Sequence, residues 1–438
     1  QMYTCKEIAA YLGILSSNAI PIWGFRQDSR LIQSRDLFFA LPGDRVDGHA
    51  FLREVAKKGA VAAVVSKQYK GPSYGLLLLA VEDVMDALHL LAQVLFSKRS
   101  TRIIAVTGSV GKTTIKEFIA TLLSAQFRVS KTPGNANSRI GVPLSLLNAD
   151  READVFIVEM GMNQRGQIAR LVSIAPPEIA VITNISLAHS AYFPEGLESI
   201  AQAKAEILSS NKTRLAILGP NVGNFSNIKN NLLPKKVYGL SEGLDLYLQV
   251  YGKKFCLMEK TRYSSFFPLP FQAEHLWENF CGAALVAREL GVCWEKIIEQ
   301  TKRLKTISHR FTIIEKKGII FVDDSYNASL SSMKAAFKSL PKPKGKTIAV
   351  LGDMKELGSF TETCHLEVAK YALEVTDILL CLGKDCSLMV RLFIKNKRKA
   401  YLYHDFQDLY KAVHAFAEQG DVVLIKGANS HQLWRILD

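Results

Sequence analysis

The sequence predicts an α/β protein of three domains, and two features of the chain carry this prediction. Short apolar runs of strand length alternate with amphipathic segments of helical spacing, which is typical of sheets covered by helices. This alternation is interrupted near residues 97 and 305 and begins again each time. A chain of 438 residues with 48% hydrophobic content is long enough for several cores, at roughly 100–200 residues per domain.

The first predicted domain, residues 1–97, is a small α/β unit. Strand signals lie at residues 37–41, 61–65 and 76–79, and an amphipathic helix is predicted over residues 84–96. A polar segment, 98–101, then leads into the next strand.

The second predicted domain, residues 98–305, contains strands at 103–106, 155–158, 179–182 and 215–218, within a strand–helix alternation. The strands at 155–158 and 179–182 end at Glu159 and next to Asn184. In an open parallel sheet the carboxyl ends of the strands face one crevice, where ligands bind. We therefore expect Glu159 and Asn184 to converge with Lys112, which follows the first strand.

Segment 107–114, Thr-Gly-Ser-Val-Gly-Lys-Thr-Thr, is predicted to cradle phosphate between the strand 103–106 and an amphipathic helix. Glycines let backbone N–H groups approach phosphate oxygens, and a helix N-terminus adds a positive dipole end. Lys112 supplies a charge, and the Thr113 hydroxyl is suited to Mg²⁺. The common motif has an earlier glycine where this chain has Val106, and an ordinary strand-to-helix turn can share the shorter form. The flanking elements favour ATP binding by Gly108, Ser109, Gly111, Lys112, Thr113 and Thr114.

The third predicted domain, residues 306–438, repeats the strand–helix pattern. Its predicted strands lie at residues 319–322, 347–351, 378–382, 400–403 and 422–425. This pattern predicts a doubly wound, Rossmann-like domain.

The composition narrows the class of protein. Lys and Arg exceed Asp and Glu by 55 − 41 = 14, which suits nucleic acid or a strongly anionic small substrate. The basic residues are scattered, so we expect no nucleic-acid partner. Seven cysteines without a C-x-x-C pair predict neither a disulfide framework nor a zinc site. No run reaches the ~18 apolar residues of a membrane span, so we expect a cytoplasmic enzyme without integral membrane contact.

A series of motifs behind the phosphate loop resembles the Mur ligase family. In chain order they are Thr132-Pro-Gly-Asn-Ala-Asn137, Ile140-Gly-Val-Pro143, Val158-Glu-Met-Gly161, Thr183-Asn-Ile185 with Ala188-His189, and Ala203-Lys-Ala-Glu-Ile207. Further matches on both sides are Asp28-Ser-Arg30, Asp36-Leu-Phe-Phe-Ala-Leu-Pro-Gly43, Asp47-Gly-His49, Asp323-Asp-Ser-Tyr-Asn-Ala328, Leu351-Gly-Asp-Met-Lys-Glu-Leu-Gly358 and Ile425-Lys-Gly427. The resemblance spans essentially the whole chain. The motifs on both sides favour the family members that add D-alanyl-D-alanine over other Mur ligases and over folylpolyglutamate synthases.

The resemblance implies an ATP-driven amide bond between UDP-N-acetylmuramoyl-tripeptide and D-alanyl-D-alanine. ATP phosphorylates the terminal carboxylate of the tripeptide, and the dipeptide amine attacks the acyl phosphate. Because this phosphoryl transfer brings like charges together, the site must supply cations. The implied catalytic residues are Lys112, His189 and Lys204, with one Mg²⁺ on Thr113 and Glu159 and a second on His189 and Lys204.

The role of Lys204 has two alternative interpretations. In the resembling ligases the lysine at this position is typically carbamylated by CO₂, which lets it hold the second Mg²⁺. A free lysine has a pKa of ~10.4, so carbamate formation needs a depressed pKa or a metal that captures the product. By periodicity alone, Lys204 is a helix-surface lysine.

The resemblance also implies binding residues outside the phosphate loop. They are Asn279, Arg310 and Asp324 for the nucleotide, and Ser29, Arg30, Asn135, Asn137 and Asn327 for the substrates. The family usually has Gly before this arginine, and this chain has His309. A site shared by three domains implies that the third domain closes on the second to exclude water from the acyl phosphate. We expect a monomer.

One alternative lies outside this class of enzyme. A P-loop ATPase that remodels or moves along nucleic acid would use the basic charge as its footprint. The chain has only one short basic run, 395–399, and no aromatic-rich platform for single strands. ATP turnover that is stimulated by nucleic acid and needs no amino acid would favour this alternative.

Overall fold

The computed structural model describes residues 2–438, and its N-terminal region holds a short antiparallel hairpin and a four-stranded parallel sheet. The hairpin pairs β1 (Tyr3–Thr4) with β2 (Pro21–Ile22), and the sheet has the order β3 (Gly24–Arg26), β4 (Asp36–Phe39), β5 (Ala62–Ser66), β6 (Leu77–Val81). The helices are α1 (Cys5–Tyr11), α2 (Leu52–Lys57) and α3 (Val84–Ser97).

The central region is built on a nine-stranded sheet. Its strands are β7 (Arg102–Thr107), β8 (Val129–Lys131), β9 (Val155–Glu159), β10 (Ile179–Ile182), β11 (Leu215–Leu218), β12 (Lys235–Gly239), β13 (Leu246–Tyr251), β14 (Lys254–Glu259) and β15 (Arg262–Tyr263). The helices are α4 (Lys112–Leu123), α5 (Gly141–Leu147), α6 (Gln167–Ile174), α7 (Leu197–Ala205), α8 (Ser226–Lys229), α9 (Glu274–Glu289) and α10 (Trp294–Gln300). The order is β15-β14-β13-β12-β11-β10-β7-β9-β8, and β7 to β12 follow the parallel pattern predicted.

One part of the central region differs from the predicted strand–helix alternation. Strands β13, β14 and β15 form an antiparallel extension of the sheet without intervening helices. The tight connection between β13 and β14 explains the difference, because Tyr251 pairs directly with Lys254 across a two-residue loop. Gly252 in that loop has φ +62°, a conformation that short hairpins require and glycine adopts freely.

The C-terminal region is a six-stranded sheet of order β16-β17-β21-β18-β19-β20. Its strands are β16 (Thr312–Lys316), β17 (Ile319–Asp323), β18 (Thr347–Gly352), β19 (Ile378–Leu382), β20 (Lys399–Tyr403) and β21 (Val422–Lys426), and its helices are α11 (Leu330–Lys338), α12 (Thr361–Val375), α13 (Ser387–Lys395) and α14 (Phe406–Phe416). Only the edge strand β16 is antiparallel. The predicted α/β class with a doubly wound C-terminal sheet is confirmed.

The central sheet is buried on both faces, because alternate residues of β7 belong to two different apolar clusters. Ile104 and Val106 join the apolar cluster with α4 and α9, which continues into the C-terminal region. Ile103 and Ala105 join the cluster that includes α3 and the N-terminal sheet. Since successive side chains of a strand point to opposite faces, one strand links both layers. Within residues 2–438, no helix is both long enough and apolar enough to cross a membrane.

Candidate active site

The phosphate loop joins β7 to α4, and two of its glycines are required by close packing. A Cβ on Gly108 would lie 1.7 Å from the Thr183 hydroxyl oxygen, so no larger residue fits there. Gly111 has φ +81° and precedes α4, where a Cβ would lie 3.0 Å from Oδ1 of Asn279. Val110 donates its N–H to Oδ1 of Asn184 at 2.9 Å. The strand ends therefore hold the loop in a shape that leaves room for a ligand.

Lys112 is the first residue of α4 and donates to the Gly108 carbonyl at 2.9 Å. Burial lowers the pKa of its amine, Arg310 lowers it further by repulsion, and Glu159 acts in the opposite direction. This lysine is a cation that its surroundings only partly compensate.

Glu159 ends β9 and is 1% exposed. Its Oε1 accepts from the Thr113 hydroxyl at 3.0 Å and from Nδ2 of Asn137 at 2.9 Å. Its Oε2 is buried without a hydrogen-bond partner, at 3.4 Å from Nζ of Lys116. A hydroxyl beside a carboxylate with a free oxygen fits Mg²⁺, which is usually bound by one or two carboxylates together with waters and substrate phosphates. Residues 2–438 contain no group of three His, Cys, Asp or Glu side chains that forms a complete metal cage.

Lys204 lies near the end of α7 and is 2% exposed, in contrast to the surface position that periodicity suggests. Burial, reinforced by repulsion from Lys112, lowers the pKa of its amine well below the ordinary value. A buried amine with a depressed pKa is the species that carbamylation requires.

His189 has φ +57° and lies in the loop after β10. Its Nδ1 hydrogen-bonds to the carboxylate of Glu356 in the C-terminal region. Burial is the main cause that lowers the pKa of this histidine, Lys112 and Lys204 add to the effect, and Glu356 opposes it.

Arg310 and Tyr326 bring the C-terminal region to the phosphate loop. Arg310 donates from Nη2 to the Thr113 hydroxyl at 3.3 Å, and its guanidinium lies 4.3 Å from the ring centre of Tyr326. The Tyr326 hydroxyl accepts from Nδ2 of Asn135 at 2.7 Å. These contacts join the two regions around one crevice.

Asp324 is held by a buried ion pair with Lys426, which ends β21. Nζ of Lys426 lies 2.7 Å from Oδ2 of Asp324 and donates to the Asn327 carbonyl at 3.0 Å. Oδ1 of Asp324 accepts the backbone N–H of Phe311 at 3.0 Å. The loop that carries Asp324 and Asn327 is therefore anchored.

His309 has φ +62°, the left-handed conformation that glycine adopts without strain. Its Nδ1 lies 2.7 Å from Oδ2 of Asp323, and its ring stacks on Trp434 with 4.5 Å between ring centres. These two contacts hold the histidine where the resembling family usually has glycine.

A cavity of about 530 Å³ lies between the central and C-terminal regions. The predicted residues that line it are Ser109, Gly111, Lys112, Thr114, His189, Asn279, Arg310, Asp324 and Asn327. Five further predicted residues are connected to the cavity by the hydrogen bonds described above. Gly108 bonds to Lys112, Asn135 to Tyr326, and Thr113 to Arg310. Glu159 bonds to Thr113, and Asn137 bonds to Glu159.

Ser29 and Arg30 are not among the residues that line this cavity. The Arg30 side chain is 81% exposed and pairs with Asp28 at 2.7 Å, while the Ser29 carbonyl accepts from Nζ of Lys58. Their role in substrate binding stays a prediction.

Sequence reasoning assigned no role to Glu356, Lys426, Tyr326 or His275. The first three lie within strings quoted for the family resemblance, but nothing in those strings indicates their partners. His275 lines the cavity, and its Nδ1 is buried without a hydrogen-bond partner. A strand-end position was the one signal that pointed to Lys426.

The fold and the site define a nucleotide-binding α/β protein with a phosphate loop and cations from two regions around one cavity. Three family models match the chain: "Mur ligase family, catalytic domain" at residues 22–94, "Mur ligase middle domain" at 106–287 and "Mur ligase, glutamate ligase domain" at 309–429. A relative from Bacillus subtilis, named UDP-N-acetylmuramoyl-tripeptide–D-alanyl-D-alanine ligase, is 32% identical over 95% of this chain and 92% of its own length. The chain belongs to the Mur ligase family.

Two solved structures share the whole architecture. MurF from Acinetobacter baumannii superposes with a TM-score of 0.88 at 26% identity, covering 100% of this chain and 98% of its own. MurF from Thermotoga maritima, solved in complex with ADP, gives a TM-score of 0.82 at 29% identity and covers 94% and 96% of the two chains.

Proposed function

We propose that this protein is an ATP-dependent ligase that joins D-alanyl-D-alanine to the terminal carboxylate of UDP-N-acetylmuramoyl-tripeptide in peptidoglycan precursor synthesis. The carboxylate oxygen attacks the γ-phosphorus of ATP, ADP leaves, and an acyl phosphate forms. The dipeptide amine then attacks the acyl carbon, and the tetrahedral intermediate collapses to the amide and inorganic phosphate. The similarity to the ligases of this name, together with the cation-rich cavity, supports this proposal.

The phosphate loop binds the nucleotide in this proposal. Backbone N–H groups at the start of α4 receive the phosphates, and Lys112 neutralises charge on the phosphoryl group as it moves. Arg310 reaches the same phosphates from the C-terminal domain, Asn279 contacts the base, and Asp324 contacts the ribose.

Thr113 and Glu159 would hold one Mg²⁺, which fits Oε2 of Glu159 because that oxygen accepts no hydrogen bond and has only an ion-pair contact with Lys116. His189 and carbamylated Lys204 would hold a second. Bound Mg²⁺ would neutralise phosphate charge and polarise the acyl oxygen. For the carbamate, the neutral Lys204 amine attacks CO₂, a nitrogen–carbon bond forms and one proton leaves; the depressed pKa supplies that neutral amine.

In this proposal each of the three domains binds a different part of the substrates. Residues 1–97 bind the UDP end through Ser29 and Arg30, with Asn135 and Asn137 along the sugar-phosphate path. Residues 98–305 bind ATP, and residues 306–438 close the nucleotide site and present D-alanyl-D-alanine near Asn327. In this proposal the C-terminal domain closes on the central one through contacts such as Arg310 with Thr113 and excludes water, which would otherwise hydrolyse the acyl phosphate. We propose that the enzyme acts as a cytoplasmic monomer.

The observation that carries this proposal is that Lys112 and Arg310 line one cavity beside the hydrogen-bonded pair of Thr113 and Glu159. These two cations matter because a carboxylate accepts a phosphoryl group only where positive charge offsets the repulsion. The test measures phosphate release from ATP with UDP-N-acetylmuramoyl-tripeptide, D-alanyl-D-alanine, both or neither. We expect release to require both substrates and to match the amide formed.

Equal phosphate release with neither substrate rejects the ligase assignment. Replacing the dipeptide with L-glutamate and the UDP substrate with a folate tests the folylpolyglutamate synthase alternative. Single-stranded nucleic acid added to ATP alone tests the ATPase alternative. Lys204→Ala is expected to abolish ligation, and full activity of this variant would discard the carbamate.

A further inference from the structure

A loop of the C-terminal region, residues 353–358, docks onto the segment that begins at His189. We name it the docking loop. Ala191 donates its N–H to the Glu356 carbonyl at 2.8 Å, and the buried hydroxyl of Ser190 donates to the Leu357 carbonyl at 3.2 Å. Gly358 has φ +54°, and a Cβ there would lie 2.8 Å from Cα of Ala191. The two backbones therefore touch at a point where only glycine fits.

The docking loop is also fixed at its base within its own region. Asp353 is 1% exposed and lies 2.5 Å from Nε2 of His431 and 2.9 Å from Nζ of Lys355. Met354 donates its N–H to Nε2 of His365 at 3.0 Å. A loop fixed at its base carries the position of the C-terminal region to its tip, where Glu356 lies.

The contact between Glu356 and His189 determines the state of the imidazole. An ionised carboxylate only accepts hydrogen bonds, so Nδ1 of His189 carries the proton. The lone pair of a neutral ring then lies on Nε2, which leaves that nitrogen able to bind a metal. Both residues have positive φ, +57° for His189 and +56° for Glu356, a conformation that side chains other than glycine keep only when their surroundings hold them.

We propose that Glu356 is a positioning residue: it fixes the Nδ1–H tautomer of His189 and so prepares Nε2 as a ligand of the second metal ion, but only while the docking loop is seated. Docking of the C-terminal region and assembly of that metal site are thus one event. The identity of the ion as the catalytic Mg²⁺ rests on the proposed function, whereas the tautomer does not. A carboxylate that accepts from the far nitrogen of a ligating histidine fixes its tautomer and orientation, and its loss weakens metal binding.

The first experiment reads the tautomer in the full-length protein without metal. Selective ¹⁵N labelling of histidine makes nine residues visible, and the His189 signal is assigned by its loss in His189→Gln. At a pH where the ring is neutral, we expect Nδ1 protonation in the wild type and a shift towards Nε2 protonation in Glu356→Ala. The matched control is Glu362→Ala, which removes an exposed carboxylate from α12 in the same region.

Gly358→Ala tests the docking step separately. It leaves the Glu356 carboxylate intact but pushes the loop away from Ala191, so we expect the same tautomer shift. This variant also decides the matter if Glu356→Ala does not fold, as judged by circular dichroism. An unchanged His189 signal in a folded variant of either kind overturns the proposal.

The second experiment measures Mn²⁺ binding by electron paramagnetic resonance, with ADP and bicarbonate present. We expect Glu356→Ala and Gly358→Ala to weaken one Mn²⁺ site by about 10–100-fold and to leave the other unchanged. Glu362→Ala should match the wild type. A tautomer shift with unchanged Mn²⁺ binding overturns the proposal, because the contact between Glu356 and His189 would then only hold the central and C-terminal regions together.

Ligation by the wild-type protein separates this inference from the proposed function. If the wild type forms no amide but both variants lose the tautomer and the Mn²⁺ site, the positioning role stands and the reaction assigned above is wrong. If the wild type ligates and both variants keep wild-type signals and Mn²⁺ affinity, the positioning role is wrong and the ligase assignment stands.

Discussion

The amino and carboxyl edges of the central sheet differ in how their charged side chains are paired. At the amino edge, Glu178 directly precedes β10 and lies between Arg102, which starts β7, and Arg214, which directly precedes β11. Nε of Arg102 is 2.8 Å from its Oε2, and Nε of Arg214 is 2.8 Å from its Oε1. At the carboxyl edge, Lys112 and Lys204 lack such partners, and burial lowers the pKa of both amines.

This difference separates structure from function within one sheet. Paired charges at the amino edge join the starts of β7, β10 and β11 and need nothing from outside. At the carboxyl edge the buried Lys112 cation has no ion-pair partner, which costs stability, and a bound polyanion offsets that cost. The edge with unpaired charges is therefore the edge where we place the nucleotide.

The largest expected effect is on catalysis, from Lys112→Met. Removing the cation at the start of α4 should lower the rate of ATP-dependent ligation by roughly 10²–10³-fold, the scale on which a group that stabilises developing charge acts. Its unfolding free energy should not fall, because the amine is destabilised by burial. Steady-state kinetics and urea denaturation check the two expectations.

Lys302→Met serves as the control, since Lys302 is 74% exposed in a surface pair with Glu299. It should leave both measurements near the wild-type values. If Lys112→Met ligated at the wild-type rate, the carboxyl edge would not be the catalytic edge.

Glu178→Gln should act on stability alone. The arginine hydrogen bonds hold the pKa of this carboxyl at about 2, against an ordinary value of 4.5, with Arg102 as the main cause. Because the folded pKa is the lower one, the stabilisation is present above pH 4.5 and is lost as the pH falls towards 2. We expect a loss of about 2–3 kcal/mol in the free energy of unfolding at neutral pH, with an unchanged turnover rate.

Urea denaturation at pH 7 and at pH 3 to 4 checks this pH dependence, because the difference in the free energy of unfolding between variant and wild type should become smaller in acid. Glu299→Gln, which alters an exposed ion pair, should change the free energy of unfolding little at either pH. A difference that stays constant or grows in acid would contradict the role assigned to the amino edge.

The smallest expected effect is a gain in stability from Lys204→Met. This change removes a buried amine that has no carboxylate partner, so the free energy of unfolding should rise by about 1 kcal/mol in EDTA and CO₂-free buffer. Since the folded pKa lies below the unfolded one, the gain is greatest at low pH and disappears above the ordinary lysine pKa. Destabilisation by this variant at neutral pH would show that Lys204 is compensated after all.

Local patterns were enough to predict a large part of the fold and the centre of the site. Strand length and helical spacing located β7, β9, β10 and α4, because these periods are set by neighbouring residues. The convergence of Lys112, Glu159 and Asn184 followed from the common direction of parallel strands. The antiparallel extension β13–β15 was not predicted, although Gly252 separates two apolar runs of strand length in the sequence.

Local sequence patterns were therefore sufficient for the α/β class, the phosphate loop and the residues at the carboxyl ends of the strands. The partners of these residues depend on how the chain folds: Arg310 bonds to Thr113, Glu178 lies between two arginines, and Glu356 bonds to His189, 167 residues away in the chain. The physical reason is that periodicity reports which face of an element is buried, whereas a contact between regions depends on how complete sheets pack. For the same reason the burial of Lys204 became visible only in the folded chain.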